Sequence, residues 1–177
     1  MGSFHVDSEV GRLRRAILHR PGLELKRLTP RNKDDLLFDD VLWVERAQHE
    51  HDGFAETLRG LDVDVINFDT LLRETVELPE ARDYILDHIF DKRVYGPIAL
   101  DPVRAALASL DSQTLTETLV GGLTKREMLE WIDEPPSLYF HAMQDDSFLL
   151  WPLTNHLFTR DTSCWIYDGV AINAMRK

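Results

Sequence analysis

Near the end of the chain, Asn155, Phe158, Arg160 and Asp161 gather an amide, an aromatic ring, a guanidinium and a carboxylate into one short stretch. Apolar runs flank it: Phe148-Leu149-Leu150-Trp151 before, Cys164-Trp165-Ile166-Tyr167 and Gly169-Val170-Ala171-Ile172 after. The runs are short and rich in aromatic and β-branched residues, so they read as buried strands. Packing charged groups among them without partners would be costly. Polar groups at strand ends against a core are what a binding cleft requires. The stretch is therefore expected to face a substrate.

Other residues invite chemistry less well. His49, Glu50 and His51 look like metal ligands. Residues at i and i+2 lie on opposite sides of a helix, however, and the i, i+4 zinc spacing is absent. His51 reads as a satisfied core histidine and His49 as a surface one. Cys164 sits in an apolar run beside Trp165, where burial would raise its pKa and keep it inert. Arg12-Leu13-Arg14-Arg15 reads as a solvated strand edge. No metal site is expected.

Composition narrows the partners. The 31 acidic against 20 basic residues give a net charge of −11, which repels phosphate backbones and anionic membranes. Nucleic acid and membrane are not expected partners, whereas a cationic substrate would be attracted. A single cysteine allows no internal disulfide, which suits a reducing compartment. The stretch Met1-Gly2-Ser3-Phe4-His5-Val6 has no apolar leader core, and no apolar run approaches membrane-spanning length. A cytoplasmic location is the expectation.

The elements that must position the stretch follow from pattern. Gly11–His19 reads as a strand closed by the Pro21-Gly22 turn, and residues 23–35 as polar and irregular. Val44, Ala47, His51, Phe54, Ala55 and Leu58 recur at helical spacing up to Gly60, with Asp39 and Asp40 at the helix start as capping acids. Leu61–Phe68 alternates as a second strand and completes a strand–helix–strand unit over residues 1–68. Residues 69–133 read as helices only. Pro79 and Pro102 each open one, a third covers Thr114–Val120, and Thr124 with Glu127 forms a capping box for a fourth. Pro135-Pro136 then returns the chain to sheet over 134–177. Met175-Arg176-Lys177 stops directly after strand material, which suggests a truncated molecule or a C-terminal strand paired within a sheet.

Four motifs together carry a resemblance: Arg27-Leu28-Thr29-Pro30, Leu36-Leu37-Phe38-Asp39-Asp40-Val41-Leu42-Trp43, Glu50-His51-Asp52 and Phe158-Thr159-Arg160-Asp161. With Leu23-Glu24 after Pro21-Gly22, they run in the order seen in arginine deiminases, and the chain resembles that family from Ser8 to its last residue. The resemblance implies an α/β fold, a partial pentein-type propeller interrupted by a helical bundle. It also implies conversion of L-arginine and water to L-citrulline and ammonia with no cofactor. The chain departs from the family pattern at Thr154, Asp168 and Ala174, where Pro, Gly and Pro are usual. Family members are more than twice as long. The resemblance puts their nucleophilic cysteine, catalytic histidine and second guanidinium-binding acid outside this sequence, and the carboxylate-gripping arginine just beyond Lys177.

In that resemblance Asp161 is a guanidinium-holding acid. The guanidinium stays protonated to a pKa above about 12 and offers N–H pairs in a planar fork that a carboxylate can accept in parallel. Held so, its central carbon is open to a thiolate approaching perpendicular to the plane. Asn155 and Phe158 match positions lining the arginine pocket, and Leu37 and Asp40 match positions at its mouth, Asp40 toward the substrate ammonium. Plainer roles compete: an Asp161–Arg160 ion pair, a turn amide for Asn155, a core aromatic for Phe158 and helix capping for Asp40. The expectation is the N-terminal part of an arginine deiminase, inactive alone and compatible with a homo-oligomer. The rivals are an inactive arginine-binding or regulatory fragment that pairs with a full-length deiminase, and the product of a broken gene or an incomplete sequence.

Overall fold

The computed structural model describes residues 5–90, 95, 97–132 and 137–173. The expectations for Met1–Phe4, Pro135-Pro136 and Ala174–Lys177 lie outside them. The fold mixes helices with small sheets and divides into two compact units, residues 1–68 with 154–177 and residues 69–153.

In the first unit β1 (Arg15–Leu18) pairs in parallel with β2 (Asp64–Asn67), in the register Arg15 to Asp64 through Leu18 to Asn67. Parallel pairing requires a crossover, and α2 (Val44–Gly60) supplies it, as the alternation of patterns predicts. Both strands are shorter than the sequence suggests. Residues 23–35 are not wholly irregular: Leu23–Lys26 forms a short helix, α1, that buries Glu24 and Leu25. Leu25, Leu28, Leu36 and Val44 form this unit's apolar cluster, with Phe38 and Leu157 packed on it. Asp39 and Asp40 do not cap α2. The N-cap is Trp43, and it makes no side-chain cap hydrogen bond. Phe54, expected on the buried face of α2, is 53% exposed.

After the site segment, β5 (Ser163–Ile166) pairs antiparallel with β6 (Gly169–Ile172). The expectation that these strands are buried is wrong. Every residue of β6, and all of β5 but Ser163, is exposed. A two-stranded ribbon has no face covered unless another element packs on it; the Val6–Tyr167 bridge and the Asn173 N–H bond to the Thr162 carbonyl extend the pairing without covering a face.

The second unit holds the larger apolar core. Its helices are α3 (Phe68–Val76, whose first residue closes the other unit), α4 (Pro79–His88), α5 (Pro97–Ser109), α6 (Ser112–Gly121), α7 (Lys125–Met128) and α8 (Leu138–Ala142). Pro79 opens α4 as expected, but Pro102 lies inside α5 rather than at its start. The Thr124–Glu127 capping box forms with both reciprocal bonds. Residues 69–133 are not helical throughout: β3 (Leu123–Thr124) pairs antiparallel with β4 (Phe148–Leu150). Just before β3, Gly122 takes φ 84°, and an added Cβ would lie 2.6 Å from the Leu150 carbonyl oxygen. Arg82 ties this unit together. Its guanidinium donates to the carbonyls of Val76, Ala108 and Leu110 and to the Ser112 hydroxyl, at 2.8–3.0 Å.

Candidate functional site

Two stretches far apart in sequence meet in the first unit. The Asn155 amide donates to the Leu36 carbonyl at 2.9 Å, and the Thr154 hydroxyl donates to the same oxygen at 3.4 Å. Thr154 is buried, and this bond from its hydroxyl gives the polar group a partner there. Phe158 stacks on Phe38, with ring centroids 6.4 Å apart and planes 29° apart. The geometry therefore brings together three of the expected site residues: Asn155 on the short 3-10 helix Thr154–Leu157, Phe158 just after it, and Leu37 between Leu36 and Phe38.

Leu37 adopts φ 63°, a left-handed conformation unusual for a branched side chain, and is 59% exposed. Asn32 and Lys33 shape the turn beneath it: their carbonyls receive the Leu36 and Phe38 N–H groups. Phe158 is 49% exposed, so it is not the core aromatic of the plainer reading. Asn155 is half-buried, and its side-chain oxygen and second N–H have no described partner.

Asp161 lies in the turn before β5, not at the tip of a buried strand, and is exposed. Its N–H donates to the Phe158 carbonyl at 3.1 Å, and its own carbonyl accepts from the Asn173 amide at 3.3 Å. Its carboxylate makes no hydrogen bond among the described residues. The competing pair with Arg160 is not formed. Arg160 donates to Glu9 at 2.8 Å, and that bond holds its guanidinium above the usual pKa. Asp40 is exposed and accepts the N–H of its neighbour Val41 at 2.7 Å. It is not joined to the other site residues by any described contact. The nearby cation is Lys33, raised in pKa chiefly by its bond to Asp34 and further by the charges of Asp40 and Asp39.

Two supporting features escape a reading by periodicity. The Thr159 hydroxyl donates to the Ile17 carbonyl at 2.9 Å and anchors the site turn to β1. His19 and Glu24 form a buried pair, Nε2 to Oε1 at 3.1 Å, with the Gly22 N–H donating to the same carboxylate oxygen at 2.7 Å. The usable signal was Glu two residues after a Pro-Gly turn, where a carboxylate can reach back to the turn's N–H. Cys164 is exposed rather than buried, so the expectation that burial keeps it inert is wrong. His51 is not a satisfied core histidine. Among the described residues both ring nitrogens are buried without a hydrogen bond, Nδ1 lying 3.9 Å from the Asp52 carboxylate, beside a cavity of about 150 Å³ lined by Arg20, Asp52, Glu56 and Asn67 among others. Removal from water lowers its pKa.

The arginine deiminase family model matches residues 34–177, most of the chain. The chain belongs to the arginine deiminase family. The family implies a hydrolase acting on the guanidino carbon–nitrogen bond, with arginine as substrate. Within this arginine deiminase-type chain, the match covers the Leu36–Trp43 stretch and the whole Asn155–Asp161 segment. Among the described residues no helix is long and apolar enough to cross a membrane.

Proposed function

We propose that this chain carries one wall of an arginine deiminase active site, with Asp161 as the carboxylate that grips the substrate guanidinium. The observation that carries the reading is the Leu36 junction. One carbonyl, held by Thr154 and Asn155, draws Leu37, Asn155 and Phe158 beside a turn whose acid accepts no side-chain hydrogen bond among the described residues. An exposed carboxylate with no hydrogen bond among the described residues can accept two parallel N–H groups, which fixes the guanidinium plane. Phe158 offers a ring face to the cation, Asn155 an amide to the α-groups, and Asp40 a charge to the ammonium.

In the reaction a thiolate attacks the guanidinium carbon and ammonia departs after protonation. Water then cleaves the amidino-thioether to release citrulline and return the thiol. We assign the thiolate to no residue here. Cys164 lies on the ribbon after the gripping turn, and the resemblance puts the nucleophile elsewhere. The wider architecture is a partial pentein-type propeller with residues 69–133 inserted between 1–68 and 134–177, in a cytoplasmic protein.

Citrulline formation tests both parts. The purified 177-residue chain is expected to form none, and measurable citrulline would reject the assignment of the nucleophile elsewhere. In a deiminase that contains this segment and turns over arginine, Asp161→Asn is expected to nearly abolish kcat/KM; full activity would reject the gripping role.

A further inference from the structure

We propose that the buried His19–Glu24 pair is a positioning device for the Asn155–Asp161 turn, an inference that deepens the reading of Asp161 as the guanidinium-gripping acid. His19 is 2% exposed and Glu24 1%. A carboxylate so buried must be satisfied by donors, and one oxygen, Oε1, takes both the Gly22 N–H and His19 Nε2. The Nε2–Oε1 contact fixes the plane of the ring, since the imidazole can present Nε2 to that oxygen only in this orientation.

That fixed ring meets the site segment directly. It makes T-shaped contacts with the ring of His156, centroids 5.6 Å apart and planes at 81°, and with Phe68, at 6.0 Å and 83°. His156 in turn lies 4.0 Å from Phe68. Two residues before His19, the Ile17 carbonyl receives the Thr159 hydroxyl. One end of β1 thus holds the 155–161 segment at two points, His156 and Thr159, on either side of Phe158. A pair serving only the Pro21-Gly22 turn would have no need of the His156 contact. His19 and Glu24 touch no substrate here; they act through the turn.

The test uses the labelled 177-residue chain, followed by NMR and by trypsin cleavage after the exposed Arg160. Glu24→Ala removes both acceptor contacts. It is expected to shift the Thr159, Arg160 and Asp161 amide signals and to speed cleavage there several-fold. Glu24→Gln keeps an oxygen that can accept the same two bonds, so it should restore the signals and the cleavage rate. Changes confined to residues 19–28 in the alanine variant, or a glutamine variant as perturbed as the alanine one, would overturn the proposal. Should Glu24→Ala not fold, His156→Leu and Thr159→Val are each expected to shift the Asp161 signal while the Gly22 amide stays in place. An unmoved Asp161 would then overturn it. Arginine is absent from these measurements. Asp161 staying silent in a separate arginine titration would therefore reject the substrate reading and leave the positioning result standing.

Discussion

In the helical unit Leu107, Leu115, Met128 and Phe140 lie at zero exposure within one contiguous core, whereas the site-bearing unit gathers Leu25, Leu28, Leu36 and Val44 and leaves Phe158, Trp165, Ile166 and Tyr167 exposed. The first arrangement is held chiefly by apolar burial, a non-directional force roughly proportional to area. The second relies on a few directed contacts: Asn155 and Thr154 on Leu36, Thr159 on Ile17, Glu24 on His19 and Gly22. Burial tolerates many sequences of similar volume. Directed bonds to single carbonyls fix geometry, which is what a gripping site demands. Substitutions in the helical unit should therefore register mainly as lost stability, and those in the site unit mainly as lost position.

The largest effect is expected at Phe140, fully buried and stacked on Tyr95 at 5.7 Å. Phe140→Ala should cost about 3–5 kcal/mol in urea unfolding. A cost near zero would break the burial account of this unit. Arg82→Met comes next. It abandons four acceptors at the ends of α3, α5 and α6, and about 2–3 kcal/mol should be lost, since bonds from charged donors exceed neutral ones. Asn155→Ala should cost only about 1 kcal/mol, yet it should move the amide signals of Leu37 and Phe158. A stability loss as large as that at Phe140, without those shifts, would contradict the contrast.

These expectations also mark what the sequence could tell. The α2 crossover between parallel strands, Pro79 opening α4 and the Thr124–Glu127 box were legible because each follows from spacing or local chemistry. The Leu36 junction was not, because hydrogen bonds to a main-chain carbonyl from a residue more than a hundred positions away leave no periodic trace. Burial of β5 and β6 was misread for a different reason. Aromatic and β-branched content reports strand propensity, not whether a neighbour covers the strand. Cys164 followed that error, and Asp39 and Asp40 failed as caps because α2 starts later, at Val44.

The smallest effect concerns pH. His51 has its pKa lowered, first by desolvation and then by the Arg20 and His19 charges, against the opposing pull of Asp52. The folded state thus favours the neutral ring. The stability this contributes is full above the unfolded value of 6.5 and is lost as pH falls through the folded pKa. His51→Gln should flatten that acid limb in a series of Tm values. His5 runs the other way, raised chiefly by its hydrogen bond to Asp168, so its contribution is present below 6.5 and fades as pH rises through its folded pKa. An acid limb unchanged in His51→Gln would show that the ring is hydrated in solution.

The most direct measurement is the carboxyl carbon signal of Asp161 in the labelled chain during titration with L-arginine and, separately, with L-citrulline. The two share α-groups and differ at the guanidinium, which citrulline lacks. The account predicts that arginine shifts the Asp161 carboxyl signal, that citrulline leaves it in place, and that the shift of the surrounding amides vanishes in Asp161→Asn. Equal responses to both ligands, or arginine shifts that persist undiminished in Asp161→Asn, would contradict the claim that this carboxylate holds the guanidinium.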